Sequence, residues 1–562
     1  MEKGKNSASP MKKSTSLLLI AILAYTLIYS IYFAVGPTHF GDDIAYSFLA
    51  HYATEGTFME SNGDILSVRL LQIFPIAFFY YIFGAGTLSS VAWDILCFTL
   101  SVLLTFLIGR ELFDDKVGLL SAFLLATFPL AAIYSTTMSD NIPMMFFVSL
   151  SFFALIKAIK NKSRFWYFIA GIALMAAPLT IPEGFIWWVM AGFLLIIGLI
   201  FKEVPIGNRS APFSINKKSL YMVLGFLIAL CVVMTVNYFN SKNAFITFTA
   251  NISYYGQTWR PDLTPQPLNT ALAFYPDIMF PYHLTSALYN ALAYKNFSPV
   301  SIITNGYIYG SNTTGFYFYA LIPAAAYLIL MKKDRKRSAL LLFWIVTGIL
   351  YLEFGPQHIT LYPFTYVLSH RLDRYLLLIA TPLSIVISAA LIGVVRASKK
   401  KWRHIKLAGS LVAIILLTVT SLQIIVYIHS IAEAEKLMQY KAAEYLMGLP
   451  DNTRIYLDSG YGDLVVYTNF DNLSRLQLGY GGITACQLIP GNSFVLVPSE
   501  KYSSLKYINQ SGQMECPWWN KVLSPPESYK NIVLQLASPD LTTLYYVPAN
   551  YTPPKMQELN VS

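Results

Sequence analysis

The dominant pattern in the sequence is a series of apolar runs long enough to cross a lipid bilayer. A helix needs about 20 mainly apolar residues to span a hydrocarbon core of about 30 Å. From Ser16 onward, runs of this kind alternate with short polar segments. The pattern predicts about eleven membrane-spanning helices, over residues 16–36, 88–109, 117–135, 142–159, 165–179, 184–201, 219–239, 316–331, 338–353, 375–395 and 407–429.

The charged residues between these runs predict how the chain is threaded. Short connections rich in Lys and Arg alternate with longer connections rich in Tyr, Asn and Pro. Basic loops stay on the cytoplasmic side of a membrane. We therefore expect a multi-pass protein of the cell membrane, with a cytoplasmic N-terminus (1–15), a transmembrane domain (16–430) with outer loops at 37–87 and 240–315, and an extracytoplasmic domain (431–562).

Composition supports this class and argues against a nucleic-acid-binding protein. Charged residues make up 12% of the chain, whereas a soluble domain usually has about 25%. The formal net charge is +10, but the basic residues lie in the short connections, where membrane topology requires them. Nucleic acid is therefore not an expected partner.

The last 130 or so residues have a different pattern. A helical segment, Ala432–Met447, is followed by short β-rich runs separated by Asn, Gly, Ser and Pro. The predicted strands are Arg454–Asp458, Leu464–Tyr467, Phe494–Pro498, Ile532–Leu536 and Leu544–Val547. The expected fold is thus a polytopic α-helical membrane protein with a C-terminal mixed α/β soluble domain.

Ionisable residues at the ends of the predicted spans are the functional candidates, because charges near the hydrocarbon core are costly. A carboxylate there can deprotonate an acceptor hydroxyl, and a guanidinium can bind a departing phosphate through two contacts. Such a set suits group transfer from a lipid-linked phosphate. The candidates on the predicted outer face are Asp42, Asp43, Arg69, Asp140, Glu183, Asp373 and Arg374.

Two segments near the N-terminus resemble a known family. Asp42-Asp43, with Tyr46 after it, resembles the Asp-Glu/Asp motif of the GT-C glycosyltransferases, in particular the protein O-mannosyltransferases and the aminoarabinose transferases of lipid A. In that fold the motif lies in the first outer loop and supplies the catalytic carboxylate. Arg69, followed by an apolar stretch that ends in Phe83-Gly84, resembles the next segment, whose basic residue contacts the donor phosphate.

Three later segments carry the resemblance on to about residue 395. Ser139-Asp140 resembles the second acidic position, and Arg374-Tyr375 resembles a late Arg-Tyr motif. Glu183 lies in a turn that in the family usually carries a basic residue before the Glu. Here Ile181-Pro182 stand at that place, and Asp43 stands where Glu is common.

The resemblance implies an inverting glycosyltransferase of the GT-C fold. Asp42, assisted by Asp43, would act as general base, and Arg69 with Arg374 would stabilise the leaving phosphate. The donor would be a polyprenyl- or dolichyl-phosphate sugar, and the acceptor a protein, lipid or glycan. The supporting residues would be Tyr46, Asp140, Glu183 and Tyr375. No cofactor is assigned with certainty, and a divalent metal held by Asp42 and Asp140 stays open.

Other interpretations of the same residues remain open at this point. Asp140 is also placed to cap a helix, Arg69 to reach the membrane interface, and Arg374 to pair with Asp373. The whole chain is also compatible with a transporter or flippase of lipid-linked sugars, because transporters tolerate charges in the membrane. A non-catalytic membrane scaffold is the third alternative.

Overall fold

The computed structural model describes most of the transmembrane part and the strands of the C-terminal part. The described residues are 11–37, 42–59, 65–192, 203–206, 209–212, 218–253, 279, 313–331, 335–354, 359–361, 364–366, 373–397, 402–447, 454–457, 476–478, 493–498, 530–532 and 542–547.

Apolar helices dominate this part of the chain. The helices are α1 (Lys13–Tyr32), α2 (Asp42–Thr54), α3 (Leu70–Phe83), α4 (Thr87–Leu112), α5 (Asp115–Ala126), α6 (Pro129–Tyr134), α7 (Asn141–Asn161), α8 (Arg164–Ala176), α9 (Leu220–Ser241), α10 (Ile246–Ser253), α11 (Tyr317–Leu330), α12 (Arg335–Phe354), α13 (Ala380–Arg396) and α14 (Arg403–Met447). Short 3-10 helices lie at Ala177–Leu179, Pro182–Phe185 and Asp373–Ile379.

The lengths of these helices confirm a multi-pass membrane protein. Within the described residues, seven helices are long and apolar enough to span a bilayer, and three shorter apolar helices accompany them. Mean hydropathy in the seven runs from 1.5 to 2.5. The predicted span over 184–201 is described only as far as residue 192.

Three boundaries differ from those expected. Residues 37–87, predicted as an outer loop, contain the two helices α2 and α3, and Pro75 lies inside α3. The single span predicted over 117–135 is divided into α5 and α6, and Pro129 opens the second helix. The last span and the helical segment after it form one helix, α14, of 45 residues. No proline interrupts α14.

Two apolar clusters hold the helices together. The larger one joins α1, α4, α5, α7, α8, α11, α12 and α13. The smaller one contains Tyr46, Ile73, Ile76, Met138 and Met175, and it attaches α2 and α3 to the rest of the bundle. The beginnings of α2 and α3 are therefore fixed by packing on both sides, which matters because the candidate residues lie there.

Helices α8 and α9 approach closely because a glycine of each helix lies against the backbone of the other. A Cβ atom added at Gly171 would overlap the carbonyl oxygen of Met222, and one at Gly225 would overlap that of Phe168. Backbones in a membrane bundle approach in this way where small residues line the interface.

We expect Gly171→Ala to lower the unfolding temperature of the detergent-solubilised protein, because overpacking of this kind costs about 1–3 kcal/mol. Gly409→Ala is the matched control, since a Cβ at Gly409 in α14 meets no atom within 4 Å. The thermal unfolding of both variants is compared with that of the wild type. Equal unfolding temperatures for the two variants would contradict the close-packing interpretation.

The C-terminal part, predicted as a mixed α/β domain, contains a mixed five-stranded sheet. Two two-stranded ribbons precede it in the chain, β1 (Glu203–Ile206) with β2 (Arg209–Pro212) and β3 (Ile359–Leu361) with β4 (Phe364–Tyr366). The strands of the sheet are β5 (Arg454–Leu457), β6 (Leu476–Leu478), β7 (Ser493–Pro498), β8 (Lys530–Ile532) and β9 (Thr542–Val547), in the order β6-β5-β7-β9-β8.

Strand β5 is parallel to both β6 and β7, whereas β9 is antiparallel to both β7 and β8. Four of these strands overlap predicted ones and β6 was not predicted. The predicted strand Leu464–Tyr467 lies outside the described residues.

Candidate active site

Four separate segments of the chain meet at one end of the helix bundle. Asp42 opens α2, Arg69 immediately precedes α3, Asp140 immediately precedes α7, and Arg374 lies in the 3-10 helix before α13. Two carboxylates in the first turn of α2 also suit the positive end of its helix dipole. The four side chains form a continuous network of charges.

Arg69 is the buried centre of this network. Its Nη1 atom donates to Asp140 Oδ2 and to the Tyr46 hydroxyl. The Tyr46 hydroxyl in turn donates to the same Asp140 oxygen over 2.6 Å. The Arg69 side chain is 8% exposed and that of Asp140 is 1% exposed. A buried guanidinium bound in this way does not extend to the membrane interface, so snorkelling does not describe Arg69.

Asp42 is the accessible carboxylate of the network. Its Oδ2 atom accepts from Arg374 Nη2 over 2.9 Å and lies 3.7 Å from Arg69 Nη1. The Asp42 side chain is 32% exposed, whereas Asp43 is buried. One oxygen of Asp42 therefore faces two guanidinium groups while part of the carboxylate remains open to a ligand.

The alternative interpretations of Asp140 and Arg374 do not match their contacts. The Asp140 side chain caps no backbone N–H at the start of α7. Its second oxygen accepts instead from Asn141 Nδ2 over 2.8 Å. The Arg374 guanidinium pairs with Asp42, while Asp373 accepts the backbone N–H of Arg374 over 2.7 Å.

Tyr46 holds the two buried charges in place as a neutral phenol. Burial raises the pKa of Tyr46 well above its usual value, so its hydroxyl keeps its proton at physiological pH. The Arg69 guanidinium also lies 5.8 Å from the centre of the Tyr46 ring, within the range of a cation–π contact. Tyr46 thus fixes both partners of the Arg69–Asp140 pair.

The remaining candidates lie at different distances from this network. Asp43 Oδ1 accepts the backbone N–H of Ile44 over 3.1 Å, inside the first turn of α2. The Tyr375 ring lies under the Arg374 guanidinium at 5.9 Å. The backbone of Glu183 lies in the 3-10 helix Pro182–Phe185, and its side chain lies outside the described part of the structure.

The two carboxylates suggested as metal ligands do not fit a cation in this arrangement. Asp42 and Asp140 both face Nη1 of Arg69, and a guanidinium between them repels a divalent ion. Among the residues that the structure describes, no group of three His, Cys, Asp or Glu side chains is arranged to hold a metal.

Two further acidic positions support the network, and only one of them was considered from the sequence. Asp373 accepts hydrogen bonds from the Tyr134 hydroxyl, over 2.8 Å, and from the Thr313 hydroxyl. Asp94 is fully buried in α4 and was not considered. Its signal was present in the sequence, because Asp94 is a carboxylate seven residues inside an apolar run.

Comparisons with known proteins bear on the fold that carries this network. Residues 70–239 match the dolichyl-phosphate-mannose-protein mannosyltransferase family. A comparison of the sequence with curated proteins returns no match. The crystal structure of ArnT from Cupriavidus metallidurans in the apo state is similar, with a TM-score of 0.58 at 10% identity, over 97% of this chain and all of that one. The fold is that of the GT-C glycosyltransferases. The family match and this fold confirm the resemblance and the expected class, a membrane glycosyltransferase.

Two further structures share the GT-C fold. ArnT from Cupriavidus metallidurans bound to undecaprenyl phosphate has a TM-score of 0.55 at 11% identity, over 97% of this chain and 100% of that chain. The apo oligosaccharyltransferase of Archaeoglobus fulgidus has a TM-score of 0.50 at 13% identity, over 86% of this chain and 70% of that chain. At these identities the likeness concerns the fold, and the site must be argued from its own geometry.

Proposed function

We propose that this GT-C protein transfers a sugar from a polyprenyl- or dolichyl-phosphate donor to an acceptor hydroxyl, with inversion at the anomeric carbon. The observation that carries the proposal is the position of Asp42. Its carboxylate is partly open and lies against two guanidinium groups. A base and cationic groups for a phosphate are thus within one side-chain length of each other.

The proposed reaction uses these groups in one displacement. Asp42 takes the proton of the acceptor hydroxyl, and the acceptor oxygen forms a bond to the anomeric carbon. The bond from that carbon to the phosphate oxygen breaks, and the electron pair leaves with the polyprenyl phosphate. Arg374 and Arg69 stabilise the negative charge that develops there. Attack from the face opposite the leaving phosphate inverts the configuration.

The arginine contacts suggest how the base becomes available. Arg374 Nη2 donates to Asp42 Oδ2 over 2.9 Å, and a phosphate with several acceptor oxygens competes for the same guanidinium. Donor binding would therefore draw Arg374 from the carboxylate to the phosphate. The acceptor hydroxyl then takes the place next to Asp42 that Arg374 has left.

The nature of the donor is supported by relatives. The family matched by residues 70–239 is named for dolichyl-phosphate mannose, and the ArnT structure, which has a similar fold, is bound to undecaprenyl phosphate. By the distribution of basic loops, the site faces the extracytoplasmic side, with residues 1–15 in the cytoplasm and residues 431–562 outside. Acceptor protein, lipid and glycan all present the hydroxyl that the mechanism needs.

We expect membranes that contain the wild-type chain to transfer label from a radiolabelled polyprenyl-phosphate sugar, and not from the corresponding nucleotide sugar. Mannose, glucose and aminoarabinose donors are tested separately, and label is measured in the protein, lipid and glycan fractions. Membranes from cells without the gene are the control. Transfer from nucleotide sugar alone, with polyprenyl-phosphate biosynthesis blocked, would contradict the proposal.

A further inference from the structure

The segment between α6 and α7, residues 135–140, carries Asp140 and is buried although it is not helical. Ser139 is 2% exposed and Asp140 is 1% exposed. Most connections lie at the surface, because buried backbone groups need hydrogen-bond partners. The partners in this segment therefore determine where the Asp140 carboxylate is placed.

Three neighbouring helices supply those partners. At the end of α1, the backbone N–H of Val35 donates to the Thr136 carbonyl over 2.9 Å. From α2, the Ser47 hydroxyl lies 3.2 Å from the sulfur of Met138. From α4, Asp94 Oδ2 accepts the backbone N–H of Ser139 over 3.3 Å. The Asp94 contact is the one adjacent to Asp140.

The position of Asp94 within α4 gives its carboxyl group no capping role, and its other side-chain neighbour is Gln72 of α3. Asp94 is the eighth residue of a 26-residue helix, far from the N-terminal N–H groups that an Asp can cap. Asp is also a poor helix former in a helix interior. Among the described residues no Lys, Arg or His forms an ion pair with Asp94, and its neighbour Gln72 is equally buried. Burying a carboxyl group without a cation costs free energy. The contact of Asp94 with Ser139 therefore indicates what the residue does.

We infer that Asp94 is a positioning residue of the active site, which holds the Ser139–Asp140 backbone so that the Asp140 carboxylate receives Arg69 and Tyr46. The Ser139 N–H needs an acceptor oxygen at hydrogen-bonding distance, and that oxygen need not be charged. The role of Asp94 therefore differs from that of Asp140, which is bound to a cation. The part of this inference that concerns catalysis rests on the proposed sugar transfer.

The experiment compares the same replacement at the two carboxylates. Asp94→Asn keeps an acceptor oxygen, and we expect transfer within about twofold of the wild type. Asp94→Leu has a similar size and no acceptor, and we expect transfer to fall by about 10- to 100-fold, as for a misplacement of about 1 Å. Asp140→Asn removes the charge opposite Arg69 and should lose activity. Asp94→Ser, too short to reach Ser139, replaces the Leu variant if that one does not fold.

Hydrogen–deuterium exchange of the detergent-solubilised full chain provides a readout that does not depend on activity. We expect amide exchange in the peptide that contains Ser139 to rise about fivefold in Asp94→Leu and to stay unchanged in Asp94→Asn, because one hydrogen bond contributes about 1 kcal/mol. Unchanged exchange in Asp94→Leu would overturn the contact. Equal losses of transfer in Asn and Leu variants, or wild-type transfer in Asp94→Leu, would overturn the positioning role.

The two hypotheses fail in different ways. If the wild type transfers no sugar while exchange changes as expected, the proposed reaction is wrong and the contact between Asp94 and the turn stands. If the wild type transfers sugar and both Asp94 variants match it in rate and exchange, the reaction stands and the inference on Asp94 is wrong.

Discussion

In the Asp42→Asn variant we expect sugar transfer from the polyprenyl-phosphate donor to fall by roughly 10²- to 10⁴-fold, the usual contribution of a general base. The amide cannot accept the acceptor's proton, but it keeps the size of the carboxylate. Asp42 is also partly exposed, so its loss should leave folding intact. Transfer is measured at equal amounts of correctly inserted protein, with donor and acceptor at saturating concentrations.

The chain contains a closely matched control for this variant. Asp115, next to the end of α4, is 33% exposed and lies 2.8 Å from Arg110 Nε. Asp42 is 32% exposed and lies 2.9 Å from Arg374 Nη2. Asp115→Asn removes the same charge from an equivalent ion pair outside the network, and we expect wild-type transfer. Activity retained in Asp42→Asn, or lost equally in both variants, would exclude Asp42 as the base.

Arg374→Lys should reduce transfer by about 10- to 150-fold, because a hydrogen bond to a charged group contributes about 1.5–3 kcal/mol. Lysine keeps the positive charge but lacks the planar pair of donors that matches a phosphate. The loss should appear mainly at low donor concentration, as a raised KM for the polyprenyl-phosphate sugar. Initial rates over a donor titration measure it.

Arg110→Lys is the control for this second variant. Arg110 has a side-chain exposure of 24%, close to the 21% of Arg374, and its ion pair lies outside the network. We expect unchanged kinetics for Arg110→Lys. If Arg374→Lys changes neither KM nor kcat, Arg374 only neutralises Asp42, and the phosphate contact must be assigned to Arg69 alone.

Much of the fold follows from the sequence because membrane helices are specified locally. Length and hydropathy alone identified the spans that became α1, α4, α7 and α9, and short β-rich runs between Asn, Gly, Ser and Pro identified most strands of the terminal sheet. The divided span shows what hydropathy alone misses. Residues 117–135 form one apolar run, but Pro129 begins a second helix inside it, because proline is tolerated in the first turn of a helix and not in its interior.

The sequence predicts which residues belong to the candidate site, but it does not predict which of them contact each other. Charge beside an apolar run identifies Asp42, Arg69, Asp140 and Arg374 one at a time. Which of them pair depends on how distant segments fold together, since Asp42 and Arg374 are 332 residues apart. Arg374 therefore seemed as well matched to the adjacent Asp373. Asp94 was missed because the candidates were sought at the ends of the predicted spans, and Asp94 lies two turns inside a helix.

Helix α14 is unbroken, so the last membrane span and the residues that follow it up to Met447 form one rigid element. At 1.5 Å per residue, its 45 residues form a rod of roughly 65 Å. The apolar span accounts for Arg403–Ser430, and the rest extends for about 25 Å beyond it. With no hinge along its length, each degree of tilt about Arg403 displaces Met447 by roughly 1 Å. A tilt of the membrane span is therefore carried along α14 as far as Met447.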